Sequence, residues 1–462
     1  MYRFLVILLF SVIYTQSQIV AFPGAEGFGA YSKGGRGGQV LFVTNLNDYN
    51  PENEEPIEGS LRWACDTYGP RTVIFSVSGI IELKKELIID KPFITIAGQS
   101  APGDGICIKD YSTRIITNNV IIRHIRFRPG DEPGAIITKQ GGVFEPDALE
   151  ILSGAHDVII DHCSASWGID EVLSVWGTDE EGQVTNVTVQ WCIISESLND
   201  SYHQKGEHGL ASLIVTNGDI SFHHNLYAHH KSRTPKPGSS GDGSLLFDFR
   251  NNVIYNYIFG GYTDGTPIRM NYIGNYIIQG PISFNNNLFA FYRFFFDGPW
   301  NYIFDATKAS QNTIIYLEGN HLKGAGDINN NQWNLIYNSQ KVSKVETLFP
   351  VSVEVITETA ITAYESVLSY AGAILPKRDS IDERVIGEVR EGNGKIIDSQ
   401  EDVGGWTNYE SSLAPIDNDN DGLPDDWETK HGLNPANNHD NILDNDKDGY
   451  TNIEEWLNGT IP

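Results

Sequence analysis

The middle of the chain repeats one short apolar strand pattern at a nearly constant spacing. From about Thr72 to Tyr316, segments of alternating apolar and polar residues are separated by Gly, Asn and Asp, and no long helical pattern interrupts them. Five segments align without gaps, and their starts are 38, 29, 33 and 33 residues apart. A unit of this length with one strand in register indicates a solenoid, whose coils bury their inner faces against each other. The segments are NVIIRHI from Asn119, DVIIDHC from Asp157, NVTVQWC from Asn186, DISFHHN from Asp219 and NVIYNYI from Asn252.

The side chains of this repeat divide between two faces. Successive residues of a strand point to opposite sides, so each copy presents one apolar and one more polar face. Strand repetition of this kind predicts an all-β fold, a parallel β-helix. A propeller or a sandwich fits less well because the hairpin-turn signals are missing. One column consists of rings, which we interpret as stacking rather than metal binding: His124, His162, Trp191, His224 and Tyr257.

The charge balance and the N-terminus limit the partners and the compartment. Lys and Arg number 32 against 60 Asp and Glu, a formal charge of -28, whereas a duplex nucleic-acid binder needs basic surface. The apolar run Phe4–Tyr14 follows Arg3 and precedes the small residues Thr15 and Ser17, which indicates a signal peptide over residues 1–17. This run is too short to span a bilayer. We therefore expect an exported monomer without a membrane span.

The four cysteines do not indicate a metal or redox motif. No two of them have the CxxC spacing that zinc and thiol–disulfide sites use. In an exported chain, disulfides and buried free thiols both remain open, since Cys is among the most buried residue types. The cysteines are Cys65, Cys107, Cys163 and Cys192.

Charged residues at coil-length spacings form a candidate site. Asp147 and Asp170 are 23 residues apart, about one short coil, so the two carboxylates could lie one rung apart and share a cation such as Ca²⁺. Lys205 and Arg233 are 28 residues apart and could lie on the same platform. Residues 203–236 contain four Lys or Arg and six His against two acids, a local reversal of the chain's charge. Carboxylates followed by cations on successive coils suit an anionic substrate bridged to the protein by a metal ion.

Five stretches carry a further signal, in the order FPGAEGFGAYSKGGRGGQVLFVTNLND, EGSLRWAC, IIRHIRFRPGD, IIDHCSASWGIDE and HHNLYAHHKSRTPKPG. Together, from about Ala21 to Gly280, they strongly resemble the pectate lyases of polysaccharide lyase family 1. Members of this family are right-handed parallel β-helices that cleave polygalacturonate by Ca²⁺-assisted β-elimination. The resemblance therefore implies that fold, that substrate and Ca²⁺ as cofactor.

The resemblance also implies roles for individual residues. Asp147 in EPDALEI and Asp170 in WGIDEVLS correspond to calcium ligands. Lys205 in YHQKGEH looks like the lysine that binds the substrate carboxylate, and Arg233 in KSRTPKPG looks like the arginine that removes the proton.

The sequence departs from the family pattern at two places. The family has a further Asp four residues after the second ligand, where this chain has Ser174, and Glu171 is the nearest replacement. A second substrate-binding arginine commonly follows the catalytic one, and here the nearest basic residue is Lys236. Lys231 and His230, beside Arg233, complete the predicted substrate-binding set.

The C-terminal tail carries a different motif. Its last 53 residues hold 13 acids and two Lys, and two segments match EF-hand loops, which we call the first acidic loop (417–428) and the second acidic loop (444–455). They resemble the calcium-binding modules of many secreted bacterial glycan-degrading enzymes, with a structural or anchoring role. The expected ligands are Asp417, Asp419, Asp421, Glu428, Asp444, Asp446, Asp448 and Glu455.

These observations predict four segments and one function. The segments are the signal peptide (1–17), the β-helical catalytic domain (18–340), an end-covering or linking region (341–405) and the calcium-binding module (406–462). The predicted function is a secreted, Ca²⁺-dependent pectate lyase acting on polygalacturonate or pectin. The alternatives are a pectin lyase on methyl-esterified polymer, a polygalacturonan hydrolase and a non-catalytic glycan-binding solenoid. A hydrolase usually shows an Asp pair in the middle of the solenoid, whereas the only adjacent pair, Asp425–Asp426, is in the tail.

Overall fold

The protein, a computed structural model, is described over residues 18–241, 245–282 and 302–462. The expected signal peptide, residues 1–17, lies outside the described residues. Within these ranges, no helix is long and apolar enough to cross a bilayer.

Parallel strands wind into a β-helix with three long sheets. The central coils contribute one strand to each of the three sheets in turn, so strands adjacent within a sheet are distant in sequence. This arrangement confirms the predicted right-handed parallel β-helix. Sheet A has eleven described strands: Gln39–Val43, Arg71–Phe75, Ile94–Ala97, Asn118–Arg123, His156–Asp161, Thr185–Gln190, Asp219–His223, Leu246–Arg250, Arg269–Ile273, Ile314–Glu318 and Ser343–Lys344.

The two other long sheets contain fewer strands than sheet A. Sheet B has six described strands: Leu87–Ile89, Thr113–Ile115, Leu149–Leu152, Leu173–Trp176, Leu213–Val215 and Lys236–Gly238. Sheet C has nine: Gly79–Glu82, Ile106–Lys109, Ile125–Arg128, Ser164–Ser166, Ile193–Ser195, Leu226–His230, Val253–Tyr257, Tyr276–Ile278 and His321–Leu322. A smaller sheet holds Gly261–Asp264, Phe304–Lys308 and Ile336–Tyr337.

Short helices accompany the coils, and the elements assigned after Lys344 are all helices. The α-helices are Leu61–Asp66, Gly134–Ile137, Ala360–Tyr370, Ser380–Glu391, Asp425–His431 and Asn452–Asn458. The 3-10 helices are Phe28–Tyr31, Gly98–Ser100, Thr138–Gln140, Gly326–Asn330, Gln332–Leu335, Ser339–Lys341 and Gln400–Val403.

The repeat found in the sequence is the sheet A strand for its first four copies. Val158 pairs with Val120 and with Val187, and Val187 pairs with Ile220, so the predicted apolar column is continuous and buried. The rings that follow also stack, with centroids 5.1 Å apart for His124 and His162. The column continues to Trp191 and His224, with centroid separations of 6.0 and 4.3 Å.

The fifth copy of the repeat lies in sheet C, so its predicted alignment with the other four copies is wrong. Asp219 pairs with Leu246, so the next sheet A strand is Leu246–Arg250, while the segment from Asn252 forms the sheet C strand Val253–Tyr257. Tyr257 pairs with His230 and is not part of the ring column. The error arose because strands of sheets A and C are joined by very short turns and share the same apolar alternation.

Asn252 instead belongs to a ladder of asparagines inside the turn between sheets A and C. The backbone N–H of each member donates to Oδ1 of the next, at 3.0, 2.9 and 2.9 Å, which satisfies backbone groups where the chain changes sheets. Cys163 and Cys192 precede this ladder, and all four cysteines are buried free thiols. The ladder comprises Asn225, Asn252, Asn275 and Asn320.

The segment after the last coil packs along the outside of sheet C. Val367 and Val385, from the helices Ala360–Tyr370 and Ser380–Glu391, share a buried cluster with sheet C residues such as Leu226. A buried ion network also holds the start of the helix Ser380–Glu391, because Arg128 contacts both Asp379, its N-cap, and Asp382. Residues 360–391 therefore flank the coils that carry the predicted site.

Candidate active site

The site forms where the chain enters the strands of sheet B. Asp147 comes two residues before Leu149 and Glu171 two residues before Leu173, and Leu149 pairs with Leu173. The two acids therefore occupy equivalent positions on adjacent coils. Carboxylate oxygens of Asp147, Asp170 and Glu171 all lie within 4.8 Å of one another. The structure thus brings the predicted ligands together.

Asp147 is held rigidly at the centre of this cluster. It is 6% exposed, its Oδ1 accepts the Glu171 N–H at 3.0 Å, and its Oδ2 accepts the Ser174 hydroxyl at 2.5 Å. Burial, reinforced by the charge of Glu150, raises the pKa of Asp147 well above its usual range. A carboxylate that is costly to ionise among other acids is in an environment that a cation would stabilise.

The donor set fits Ca²⁺. Carboxylate and hydroxyl oxygens from Asp147, Asp170, Glu171 and Ser174 are hard ligands of the type that this ion prefers. Ser174, which stands where the family has a carboxylate, contacts Asp147 rather than pointing away. Ser174 therefore remains part of the cluster, although it contributes no charge.

Arg233 lies directly beside these acids. Its guanidinium contacts the Glu171 carboxylate. Burial opposes ionisation of Asp170, but the hydrogen bond from His208 and the charges of His208, His203 and Arg233 lower its pKa. The rung Glu171, Leu210 and Ser232 is continuous across three coils, which places Arg233 next to it. The structure thus joins the predicted base to the predicted ligands through Glu171.

Three lysines surround this position. Lys205 is exposed in the loop before sheet B strand Leu213–Val215 and lies close enough to His203 to lower its pKa, after the larger effect of burial. Lys231 pairs with Glu207 at 2.7 Å. Lys236 pairs with Leu213 across sheet B and contacts Asp264 at 2.8 Å. The carboxylates, Arg233 and the three lysines thus form a charged strip beside sheet B, which we call the groove.

His230 does not belong to this groove, and its predicted contact with substrate is wrong. The residue is 0% exposed, its Nδ1 is 2.8 Å from Ser197 Oγ and its Nε2 is 2.9 Å from the Ile194 carbonyl. Burial lowers its pKa to about 3, so it is a neutral interior ring. His230 ends the strand Leu226–His230, whose five residues are all buried, and Lys231 follows it in the turn outside the strand.

Sequence reasoning missed His203 and His208, which contact the cluster from the 199–210 loop. His208 Nε2 is 2.8 Å from Asp170 Oδ1, and His203 Nε2 is 3.5 Å from the same atom. Loop residues have no fixed spacing relative to the coils. The only available signal was the concentration of His between residues 203 and 236.

The two acidic loops form a second acidic region at the C-terminus. Position 6 of each loop is a glycine with positive φ, Gly422 at 100° and Gly449 at 103°. Both carboxylate oxygens of Glu428 and of Glu455 are buried without a hydrogen-bond partner, a state that a bound cation would resolve. Burial raises the pKa of Glu428 to about 7. The loops fit Ca²⁺, as their sequences predict.

Asp440, outside both loops, completes the first of them. It is 4% exposed, its Oδ1 lacks a partner, and it shares a cluster with Asp421 and Glu428. Its backbone oxygen accepts the Asn452 side chain at 2.7 Å, which links it to the helix that ends the second loop. The motif could not reveal this ligand because it lies twelve residues beyond Glu428.

Fold and site together define a β-helical protein with a charged groove of carboxylates and cations, an arrangement suited to an anionic polysaccharide. No protein-family model matches the chain. It is 35% identical to the probable pectate lyase C of Aspergillus flavus over 466 residues, which cover 98% of this chain and 96% of the relative. The Aspergillus terreus enzyme of the same name is 34% identical over 99% of this chain and 98% of its own length. The chain belongs to the pectate lyase family and is a polysaccharide lyase.

Solved structures agree with the fold. The major cedar pollen allergen jun a 1 superposes with a TM-score of 0.51 and 17% identity, covering 75% of this chain and 92% of the allergen. The thermostable pectate lyase PL 47 gives a TM-score of 0.51 and 15% identity, covering 76% and 97%. The expected likeness of the tail to bacterial modules stays a prediction, since these full-length relatives are fungal.

Proposed function

We propose that the protein is a calcium-dependent pectate lyase that cleaves de-esterified α-1,4-galacturonan by β-elimination and releases 4,5-unsaturated oligogalacturonides. The observation that carries this proposal is the cluster of Asp147, Asp170 and Glu171 in contact with Arg233. The cluster offers oxygen ligands for a cation, and a basic side chain lies beside it. An uncharged, methyl-esterified polymer would give the acids no such use.

Elimination requires that charge on the sugar be neutralised. The C5 proton of galacturonate lies next to the C6 carboxylate, so its removal creates a second negative charge beside the first. When bound, Ca²⁺ supplies this neutralisation together with Lys205. Asp147 and Asp170 hold the metal, with Glu171 as the third carboxylate. Lys236 and Lys231 bind further carboxylates of the polymer along sheet B.

Arg233 removes the C5 proton in this proposal. The role comes from the family resemblance, since an arginine is almost always protonated and must lose a proton before it can act. Glu171 and Arg233 are in contact in the described structure, so Glu171 divides its carboxylate between this side chain and the metal. This sharing of Glu171 matters in the present chain because Ser174 stands where the family has a further acid.

Product spectroscopy tests the reaction class. Polygalacturonate and highly methylated pectin are incubated with the protein, with calcium or with excess chelator, and ultraviolet absorbance of the unsaturated product is followed. We expect absorbance only on polygalacturonate with calcium. Equal activity in chelator with preference for methylated pectin would establish a pectin lyase. New reducing ends without absorbance would establish a hydrolase.

A single substitution tests the base. Arg233→Ala should abolish turnover while leaving calcium-dependent binding of polygalacturonate in place. Arg390→Ala is the matched control, because Arg390 is half exposed and contacts only Glu365 among the described ion pairs, at 3.4 Å. Turnover retained by the Arg233 variant would show that another group takes the proton.

The C-terminal module has a structural calcium role in this proposal. Arg36, before the first strand of sheet A, donates to Glu454 at 2.7 Å and lies over the Tyr450 ring. Asn458 accepts from Arg123 of sheet A at 2.9 Å. Calcium that orders the two acidic loops would therefore strengthen the contact between the module (406–462) and the β-helix (18–340). This contact supports a docked module rather than a tethered anchor.

Secretion also remains part of the proposal. It is supported by the signal-peptide pattern of residues 1–17 and by the use of an extracellular polymer as substrate. N-terminal sequencing of protein from the culture medium tests it, and a mature chain that begins near Gln18 is the expected result. An uncut chain retained in the cells would contradict it.

A further inference from the structure

The outward-facing side chains of sheet B form two parallel rows that cross the coils. Alternate residues of a strand point to the same face, so Trp176 shares a face with Ser174, whose hydroxyl contacts Asp147 of the metal cluster. The row through Ser174 also contains Glu150 and Arg114, which pair in register on the preceding coils. The row through Trp176 lies about 6 to 7 Å further along the strands.

This second row, which we call the apolar row, consists of Ile116, Leu152, Trp176 and Val215. Trp176 pairs with Leu152 on one side and with Val215 on the other. Ile116 continues the row beyond Leu152, because the preceding residues of the two strands are paired. All four side chains are partly exposed, and Ile116 and Trp176 are each 37% exposed. Three steps of about 4.8 Å between strands make the row about 14 Å long.

The indole ring of Trp176 has a fixed orientation. Its Nε1 donates to Glu181 Oε2 at 2.9 Å, and the Glu181 backbone N–H donates to Thr178 Oγ1 at 3.1 Å. Trp176 is the only tryptophan among the large apolar side chains that the described part of the chain leaves exposed. A single exposed apolar residue needs no explanation, but a fixed ring in a row of four beside a charged groove indicates a binding surface.

The apolar row has no group that would bind a carboxylate. None of its four members is charged, and the loop 178–183, which holds the indole, contains Asp179, Glu180 and Glu181 without a Lys or Arg. A carboxylate placed against the row would lose water without gaining a cation, and it would approach like charges. A methyl ester removes that charge and offers its methyl group to the ring.

We propose that the apolar row binds a methyl-esterified galacturonate unit and that Trp176 determines this specificity. The inference deepens the proposed function, on which its choice of polymer rests. Successive units of an α-1,4-linked chain turn their carboxyl groups to different sides, so a polymer lying across sheet B presents some of them to the groove and others to the apolar row. The metal cluster requires a free carboxylate, whereas Trp176 favours an ester. The preferred substrate is therefore partially methyl-esterified pectin, in which free and esterified units are neighbours.

Calorimetric binding tests the apolar row without turnover. The full-length Arg233→Ala protein, which should leave the ligand intact, is titrated in calcium with polygalacturonate and with partially methyl-esterified pectin of the same chain length. We expect the partially esterified polymer to bind at least as tightly as polygalacturonate. Adding Trp176→Ala should weaken binding of the esterified polymer by about tenfold, as for the loss of a methyl group's contacts in an apolar pocket, and should affect polygalacturonate much less.

Leu152→Lys is a second test that leaves the indole in place. A lysine beside Trp176 supplies the cation that the row lacks, so it should shift the preference towards polygalacturonate. Tyr68→Ala is the matched control, since Tyr68 is an aromatic residue, 78% exposed, that precedes the sheet A strand Arg71–Phe75. Its loss should leave both affinities unchanged. Circular dichroism of each variant checks that the coils remain folded.

The outcomes separate the apolar row from the lyase reaction. Equal weakening of both polymers by Trp176→Ala, unchanged binding of both, or an unchanged preference in Leu152→Lys would overturn the ester-binding role. A selective loss on the esterified polymer supports that role even if the wild-type protein releases no unsaturated product, a result that would overturn the proposed reaction alone. In an active enzyme, and also if Arg233→Ala retains turnover, Trp176→Ala should raise KM for the esterified polymer with little change in kcat.

Discussion

Glu455→Gln separates the structural role of calcium from its role in the groove. Glu455 is the last ligand of the second acidic loop, 1% exposed, with both carboxylate oxygens lacking hydrogen-bond partners. Its neighbour Glu454 makes the 2.7 Å contact with Arg36 that fixes the module to the β-helix. The substitution keeps the shape of the side chain and removes one charge from the metal site of the second acidic loop.

We expect Glu455→Gln to lower the free energy of unfolding in calcium but not in chelator. An ion that binds only the folded state at 100 times its dissociation constant adds about 2.7 kcal/mol to the free energy of unfolding. The variant should lose up to about this amount in calcium. In chelator, the wild-type protein keeps a buried carboxylate without a partner, which disfavours the folded state. There the variant should be at least as stable as the wild type.

Calorimetric unfolding in calcium and in chelator measures both halves of this prediction. A loss of this size corresponds to a fall in Tm of a few degrees for a chain of this length. Glu346→Gln is the control, since its side chain is 82% exposed and contacts only Lys344 among the described ion pairs. Activity per folded molecule at saturating calcium should not change. A variant that keeps the full calcium-dependent rise in Tm would refute the reasoning.

Three further predictions concern the groove and its support. Asp379→Asn leaves the buried Arg128 short of a charge and should cost about 3 to 5 kcal/mol at pH 7. Burial opposes ionisation of Asp379, but the arginines hold its pKa below 3.8. The difference in free energy of unfolding between the wild type and Asp379→Asn should therefore shrink as the pH falls below that value. Glu171→Gln should raise the calcium concentration needed for half-maximal turnover. An unchanged calcium requirement would show that Glu171 contacts Arg233 but does not bind the metal. Asp264→Asn frees Lys236 and should lower KM for polygalacturonate, and an unchanged KM would exclude Lys236 from the groove.

The fold could be predicted because burial acts on every coil in the same way. Val120, Val158, Val187 and Ile220 repeat because each fills the same position in a stacked interior. The same uniformity caused the error at Asn252, since strands of sheets A and C both need an apolar inner face. Only the Asn ladder distinguishes the two sheets at this point, and it depends on side-chain hydrogen bonds that alternation does not encode.

The site was harder to predict from the sequence because some of its residues lie beside strands and others lie on loops. Asp147 and Asp170 could be related by coil spacing, since they lie two and three residues before neighbouring strands of one sheet. His208 and Asp440 reach their clusters through loops, where residue spacing does not determine position. His230 lies close to Arg233 in sequence, but it is the last residue of a strand that is buried throughout, and closeness in sequence does not show this.

The net charge of -28 and a polyanionic substrate are compatible because the groove is locally balanced. Arg233, Lys231 and Lys236 each contact a carboxylate of the protein in the described structure. A galacturonate chain therefore exchanges one anionic partner for another at these positions, and the gain from each exchange is small. In the proposed function, most of the affinity for the polysaccharide must therefore come from a bound cation that still has positions free for substrate carboxylates. In this proposal, calcium is the counterion of the substrate at the carboxylate cluster, and of the fold at the buried carboxylates of Glu428 and Glu455, which have no hydrogen-bond partner.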